Sequence, residues 1–271
     1  GPPLFCNPAK KDFIQPDRSL IKPWLNTYIV GKATGPATYL FTSLGCPYRC
    51  SFCSIWPQFK GEYFQREPES IIEELKTLDD YEVVRFADAN TVVNIKMMDK
   101  LFDLIKAGQI KKSYVMDIRP DTIVNNPKLI EKMAKAGLVA VISGFESFRK
   151  DELSKNNKDY NIHNISAAID ILHRNGIMVR GNYVIPADYD IDDFSALSEF
   201  ANSHKITYAG YTILSPMPGT RYYREVKDQI IDFNLDKYNF FNCLLNTKLP
   251  LETFYKEVGK LWMIKKGRDV I

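Results

Sequence analysis

The sequence predicts an α/β protein, a partial (β/α)6 TIM-like barrel with a C-terminal helical cap. Three observations predict it. Apolar, β-prone runs alternate with helical stretches, strand then helix, in six successive units. The strand runs are apolar, and with the helices between them they imply a parallel sheet covered by helices. Three helical stretches stop at Gly108, Gly137 and Gly176, where a left-handed residue can end a helix. Six units suit an incomplete barrel better than a closed eight-fold one, and in such a barrel the chemistry sits at the C-terminal strand ends.

Each element follows from its pattern. Tyr39 to Ser43 is the first strand, ending just before Gly45 and a group of cysteines. Pro68 opens a helix that places Ile71, Ile72, Leu75 and Leu78 on one face. Val83 to Phe86 is the second strand, followed by a helix carrying Met97, Met98, Leu101, Leu104 and Ile105. Tyr114 to Ile118 is the third, and Pro127 starts a helix with Leu129, Ile130 and Met133. Val139 to Ser143, Met178 to Ile185 and Tyr208 to Leu214 complete the strands. Between them lie helices around Ile165 to Leu172 and Phe194 to Phe200. Phe254, Tyr255, Val258, Leu261 and Trp262 then follow a helical period and predict a helix docked on the open barrel edge. The expected organisation is a lead-in over 1–35, the barrel over 36–216 and a C-terminal extension over 217–271.

Composition sets the outer limits. The 271 residues are 45% hydrophobic and 25% charged, which excludes disorder, collagen-like repeats and coiled coil. The net charge is only +3 and the basic residues are scattered. Short groups such as Lys111-Lys112 and Lys265-Lys266 read as solvated surface, so no nucleic-acid partner is expected. No apolar stretch free of charge reaches the ~20 residues of a membrane helix, and no signal peptide pattern opens the chain. A cytoplasmic location is expected.

Cys6, Cys46, Cys50, Cys53 and Cys243 are the five cysteines. An odd number, with three inside eight residues, argues against a disulfide framework and for metal. The run Gly45-Cys-Pro-Tyr-Arg-Cys-Ser-Phe-Cys53 has C-x3-C-x2-C spacing. Three thiolates on one loop can hold three corners of a cuboidal 4Fe-4S cluster and leave the fourth iron open to a substrate or cofactor. Structural zinc is the alternative, with a fourth ligand from Cys6, Cys243 or a histidine. Three unrelated free thiols is the third.

With Phe52 in the position before the last cysteine, this motif after a first strand resembles the radical S-adenosylmethionine (radical SAM) superfamily over roughly residues 36–216. The resemblance implies a 4Fe-4S cluster on Cys46, Cys50 and Cys53, with SAM chelating the open iron. One electron, from an external donor such as flavodoxin or ferredoxin, would cleave SAM to a 5′-deoxyadenosyl radical that abstracts hydrogen from a small-molecule substrate. It also implies cofactor contacts. Arg119, in Asp117-Ile-Arg-Pro-Asp121, would pair with the SAM carboxylate, and Glu146, in Gly144-Phe-Glu-Ser147, would accept from the ribose. Ile55 falls where backbone reaches the adenine, and Val184, Ile185 and Leu214 would line its pocket, a placement that core packing explains equally well. Two departures stand out. Phe86-Ala-Asp-Ala-Asn90 replaces the family's Gly-Gly-Glu, leaving Asp88 or Asn90 for the SAM amino group. Pro186 replaces a glycine after the fifth strand and removes a backbone donor.

The flanking segments Thr42 to Cys50, Leu214-Ser-Pro-Met-Pro-Gly-Thr220 and Gln15-Pro-Asp-Arg18 resemble the group that includes cobalamin-dependent methylases and the anaerobic magnesium-protoporphyrin cyclase. That implies methylation, cyclisation or rearrangement of an apolar or amphipathic molecule. About 35 residues precede the barrel, too few for a cobalamin domain of on the order of 100 residues. Cobalamin is therefore a cofactor with no domain to hold it in this chain, and either the chain is trimmed or it works without cobalamin. Two further cysteines do not ligate a second cluster. Cys243, in an aromatic loop, is a candidate hydrogen-atom donor if the enzyme is instead a cobalamin-free epimerase or a peptide-modifying enzyme. A small buried thiol is the simpler account of it. An iron-sulfur electron carrier or structural metal domain is the non-enzyme alternative.

Overall fold

The computed structural model describes residues 13–27, 35–158 and 160–263. Cys6, Lys265 and Lys266 lie outside them. Six strands form one parallel sheet: β1 (Ala37–Leu40), β4 (Val83–Phe86), β5 (Ser113–Asp117), β6 (Leu138–Glu146), β7 (Met178–Ile185) and β8 (Tyr208–Ile213), side by side in that order. Every neighbouring pair is parallel. This is the partial α/β barrel the alternation predicts.

The helices cover its outer face. They are α2 (Pro68–Lys76), α3 (Ile95–Ala107), the short α4 (Pro120–Asn125), α5 (Pro127–Lys135), α6 (Lys150–Lys155), α7 (Ile162–Arg174) and α8 (Ile191–Ser203). A short α1 (Ile55–Gln58) follows the cysteine loop, and α9 (Arg221–Val226) and α10 (Leu251–Trp262) belong to the C-terminal extension. The predicted apolar stripes form the core: Ile71, Leu75, Met98, Leu101, Ile130, Ile165 and Leu172 are at most 1% exposed. Two helix starts carry reciprocal caps, Asn161 with Asn164 on α7 and Asp190 with Asp193 on α8. The C-terminal helix docks as expected. Phe254 is fully buried and meets Phe194 of α8 edge-on at 5.6 Å, while Trp262 meets Tyr211 of β8 at 5.9 Å.

The structure corrects three local expectations. The first strand does not run from Tyr39 to Ser43. It ends at Leu40, bends at Phe41-Thr42, and resumes as β2 (Ser43–Gly45), antiparallel to β3 (Tyr63–Gln65) in a separate two-stranded ribbon. The bend is fixed by Asp88 after β4, whose carboxylate accepts from Thr42 N (2.8 Å), Thr42 Oγ1 (2.6 Å) and Ser43 N (2.8 Å). Gly108 is not left-handed. Its φ is −78°, and Gln109 takes the positive angle (52°) instead. Gly137 does require glycine, with φ +108° and a would-be Cβ 2.2 Å from the Lys112 carbonyl oxygen. Nor is Lys112 simply solvated, since its Nζ donates to the carbonyls of Leu78 (2.6 Å) and Tyr81 (2.5 Å).

Candidate functional site

The cysteine loop leaves β2 at Gly45, whose φ of +79° and crowded Cβ position, 2.3 Å from the Glu62 carbonyl oxygen, admit no side chain. It then wraps its own sulfurs. Cys46 receives the Tyr48 N–H, and Cys53 receives those of Ile55 and Trp56 at the start of α1. Donors aimed at sulfur favour thiolate, the form that binds metal. Burial nevertheless pushes the Cys46 and Cys53 thiols up, and the neighbouring sulfurs add to it, Cys50 on Cys46 and both Cys50 and Cys46 on Cys53. Arg119 and Lys158 pull Cys46 back down. Among the described residues, no three His, Cys, Asp or Glu side chains converge on a single-ion position.

Distant segments hold the loop in place. Ser51 N donates to the Asn156 carbonyl (3.3 Å) and Ser51 Oγ to Asn156 Oδ1 (2.9 Å). Asn157 Nδ2 donates to the Arg49 carbonyl (3.1 Å), Tyr222 N to the Ser51 carbonyl (2.9 Å) and Trp56 Nε1 to the Cys50 carbonyl (3.0 Å). The loop is thus pinned from the α6–α7 connection and from α9.

Beside it opens a cavity of about 480 Å³ at the C-terminal ends of the strands. Of the expected cofactor contacts, Phe52, Asn90, Arg119, Glu146, Val184 and Leu214 line it together. Ile55, Asp88 and Ile185 do not. Ile55 opens α1, Asp88 is engaged at the Thr42 bend, and Ile185 faces the helix layer at 0% exposure. Cys243 also lies elsewhere, its thiol donating to the Leu245 carbonyl at 3.4 Å and its N–H held by Tyr255 Oη at 2.9 Å.

Glu146 stands out in the cavity wall. Its φ is +64°, at a register shift between β6 and β7, and it is not glycine. Such a backbone costs of order 1–3 kcal/mol and persists only where surroundings impose it. Gly144 is the compensating residue: a Cβ there would lie 2.2 Å from Glu146 Oε1. The carboxylate pairs with Lys158 Nζ at 3.0 Å, and both side chains are almost wholly buried. Burial works against the lysine's charge, but Glu146, Tyr160 and the Cys50 sulfur outweigh it and hold the ammonium above the ordinary lysine range. Lys158 is the residue that sequence reasoning missed.

Two more groups complete that wall. Arg119 makes a two-pronged pair with Asp121, Nε to Oδ1 and Nη2 to Oδ2, both 3.0 Å, and lies 3.7 Å over the Tyr48 ring. Asn90 is 4% exposed, and neither carboxamide atom has a hydrogen-bond partner. A buried amide left unsatisfied costs about 1–3 kcal/mol, so it marks a place for a polar ligand group.

A profile of the radical SAM superfamily matches residues 40–201, well over half of the chain. The chain belongs to the radical SAM superfamily. This family uses a 4Fe-4S cluster and S-adenosylmethionine, and the residues here fit both: three thiols on one loop, Cys50 buried and Cys46 and Cys53 half-buried, with N–H groups turned to the sulfurs of the latter two, and an unpartnered amide facing the cavity beside them. Among curated relatives, the bacteriochlorophyllide d C-12(1)-methyltransferase of Chlorobaculum tepidum is 28% identical over 216 residues, 77% of this chain and 47% of its own length. The anaerobic magnesium-protoporphyrin IX monomethyl ester cyclase of Rubrivivax gelatinosus is 26% identical, over 74% of this chain and 37% of its own. The radical SAM methyltransferase TsrM of Kitasatospora setae, solved with cobalamin and a [4Fe-4S] cluster, superposes with TM-score 0.64 at 19% identity, covering 72% of this chain and 37% of that one. The chain spans about half or less of the length of these proteins. No helix among the described residues is long and apolar enough to cross a membrane.

Proposed function

We propose that this chain is the radical SAM core of an enzyme that abstracts hydrogen from an apolar or amphipathic small molecule, leading to its methylation, cyclisation or rearrangement. The observation that carries the reading is the single cavity in which Asn90, Arg119, Glu146 and Lys158 meet Phe52 of the cysteine loop on one side and the aromatic extension on the other. In this reading Cys46, Cys50 and Cys53 hold the cluster. When bound, cluster and SAM supply a 5′-deoxyadenosyl radical by one-electron cleavage.

The chain's own residues orient and shield. Asn90, with both carboxamide atoms free, offers an acceptor to an ammonium and a donor to a carboxylate. Glu146 accepts hydroxyl hydrogens, fixed in position by Lys158, whose Nζ it already binds. Arg119 presents its guanidinium beside them, steadied by Asp121 and the Tyr48 ring. Named relatives include methyltransferases and a cyclase, which supports a reaction at carbon. Cobalamin belongs to the reading only if a domain outside this chain supplies it. No observation favours the alternative in which Cys243 donates a hydrogen atom, since it is not among the residues lining the cavity.

The test is anaerobic loading with iron and sulfide, reduction, and assay for 5′-deoxyadenosine from SAM. We expect cluster absorbance and SAM-dependent 5′-deoxyadenosine. A folded chain that takes up the cluster but leaves SAM intact would contradict the reading.

A further inference from the structure

The cavity has a second half to which nothing above assigns a role. It is formed by Arg180 and Asn182 of β7, Tyr211 of β8, and Phe240, Phe241 and Trp262 of the C-terminal extension. Strand geometry explains the polar part. Side chains alternate along a strand, so Val179, Tyr183 and Ile185 enter the helix layer, all at 0% exposure, while Arg180, Asn182 and Val184 face the barrel lumen. Across from them, a Cβ on Gly210 would meet Asn182 Oδ1 at 2.6 Å and Arg180 Nη2 at 3.7 Å. The glycine leaves these side chains their room.

Charge in this half is unbalanced. Asp117 lies between Arg85 and Arg180 and feels both, but it accepts its hydrogen bond from Arg85 Nη2 at 3.2 Å. Among the described residues no carboxylate comes within 4.0 Å of Arg180 in an ion pair. Asp88, the other carboxylate acting on Asp117, is taken up by Thr42 and Ser43, so the two guanidinium groups are left to share Asp117. The mouth is the opposite in character. Phe240, Phe241 and Trp262 are each more than 40% exposed. They are held in place: Ile213 N at the end of β8 donates to the Phe240 carbonyl at 2.7 Å, and Trp262 lies against Tyr211 and Phe241. Rigid aromatic faces beside a cavity suit a flat apolar ligand.

We propose that this half is the subsite for an amphipathic substrate carrying a carboxylate on an apolar ring system, with Arg180 taking the carboxylate and Phe240, Phe241 and Trp262 the rings. The proposal rests on the functional reading above and narrows its substrate class. A guanidinium with no carboxylate paired to it among the described residues suits a monoanion, and its fork of N–H donors matches carboxylate geometry. Asn182 adds a neutral donor next to it.

The experiment is a calorimetric titration of the full chain, as purified and after anaerobic cluster loading. The probes are 1-pyrenebutyrate and the neutral 1-pyrenebutanol. The acid is expected to bind roughly tenfold more tightly than the alcohol. Arg180→Met removes that preference and Arg180→Lys keeps part of it, whereas Trp262→Ala weakens both probes by a similar factor. Equal binding of the two probes, no binding of either, or a preference that survives Arg180→Met would overturn the subsite. A chain that cleaves SAM yet shows no preference rejects the subsite alone. One that shows the preference but never cleaves SAM rejects the functional reading and leaves an anion-selective pocket.

Discussion

Replacing Cys50 with Ala is expected to empty the chain of its cluster and to reduce 5′-deoxyadenosine formation to background. Three ligands on one loop have no reserve. The Cys243 thiol, away from the loop, is committed to the Leu245 carbonyl. Cys50 is also the most buried of the three, at 8% exposure, and its carbonyl anchors both Cys53 N (3.2 Å) and Trp56 Nε1 (3.0 Å). Those are backbone contacts, so the Ala variant keeps the loop's shape while losing the ligand. Loss of a ligand should exceed the roughly 10–100-fold cost typical of losing a group that merely orients one. Iron content per chain, visible absorbance and 5′-deoxyadenosine are the readouts, with far-ultraviolet circular dichroism confirming the fold. Cys243→Ala serves as the contrast and should retain full iron content. A Cys50→Ala protein that still holds four irons would contradict the ligand assignment.

The largest effect on stability is expected at Glu74, far from the cavity. Glu74 on α2 is 1% exposed and bridges two arginines, Arg18 Nη2 at 2.7 Å and Arg66 Nη1 at 2.5 Å. Arg66 is buried as well, at 6% exposure, and it also donates to the Phe41 carbonyl (2.9 Å) and the Ser70 carbonyl (3.1 Å). Arg18 continues to Thr38 Oγ1 (3.0 Å) and the Tyr39 carbonyl (2.6 Å). The triad therefore ties the lead-in to β1 and to the bend that aims the cysteine loop. Truncating Glu74 to Ala leaves a buried guanidinium without its counter-charge, which costs about 3–5 kcal/mol. Urea unfolding should show that loss as a lower midpoint with an unchanged slope. Replacing the triad by Arg18→Met, Glu74→Leu and Arg66→Met should recover much of it, because a buried ion pair is itself expensive to desolvate. A Glu74→Ala unfolding free energy within about 1 kcal/mol of the parent would show that water reaches Arg66 readily.

The parts of this molecule legible in the sequence are those written by local pattern. Alternation of apolar runs and helical stripes gives six parallel strands and the helices that cover them. The cysteine spacing, with Phe52 beside it, places the loop at the strand ends. What escaped depends on contacts across long stretches of chain. Lys158 lies in Lys155-Asn-Asn-Lys158, which reads as a solvated turn until Glu146 and the cysteine loop enclose it. Asp88 looks like a ligand by its place after a strand, yet it is used by Thr42 and Ser43, 46 and 45 residues earlier. The break after Leu40 is invisible because β1 and β2 are both short and β-prone, and only their different partners separate them. Arg180 and Asn182 did leave a signal. Their alternation with Val179, Tyr183 and Ile185 marks a strand with one polar face, which a strand buried on both sides would not have.

The loop's three cysteines are expected to leave one cluster iron free for SAM. Electron paramagnetic resonance of the anaerobically loaded, reduced chain, recorded before and after adding SAM, tests this. The predicted result is a reduced 4Fe-4S signal that changes shape when SAM is added and that Cys50→Ala lacks altogether. A signal that stays the same with SAM in excess would contradict it.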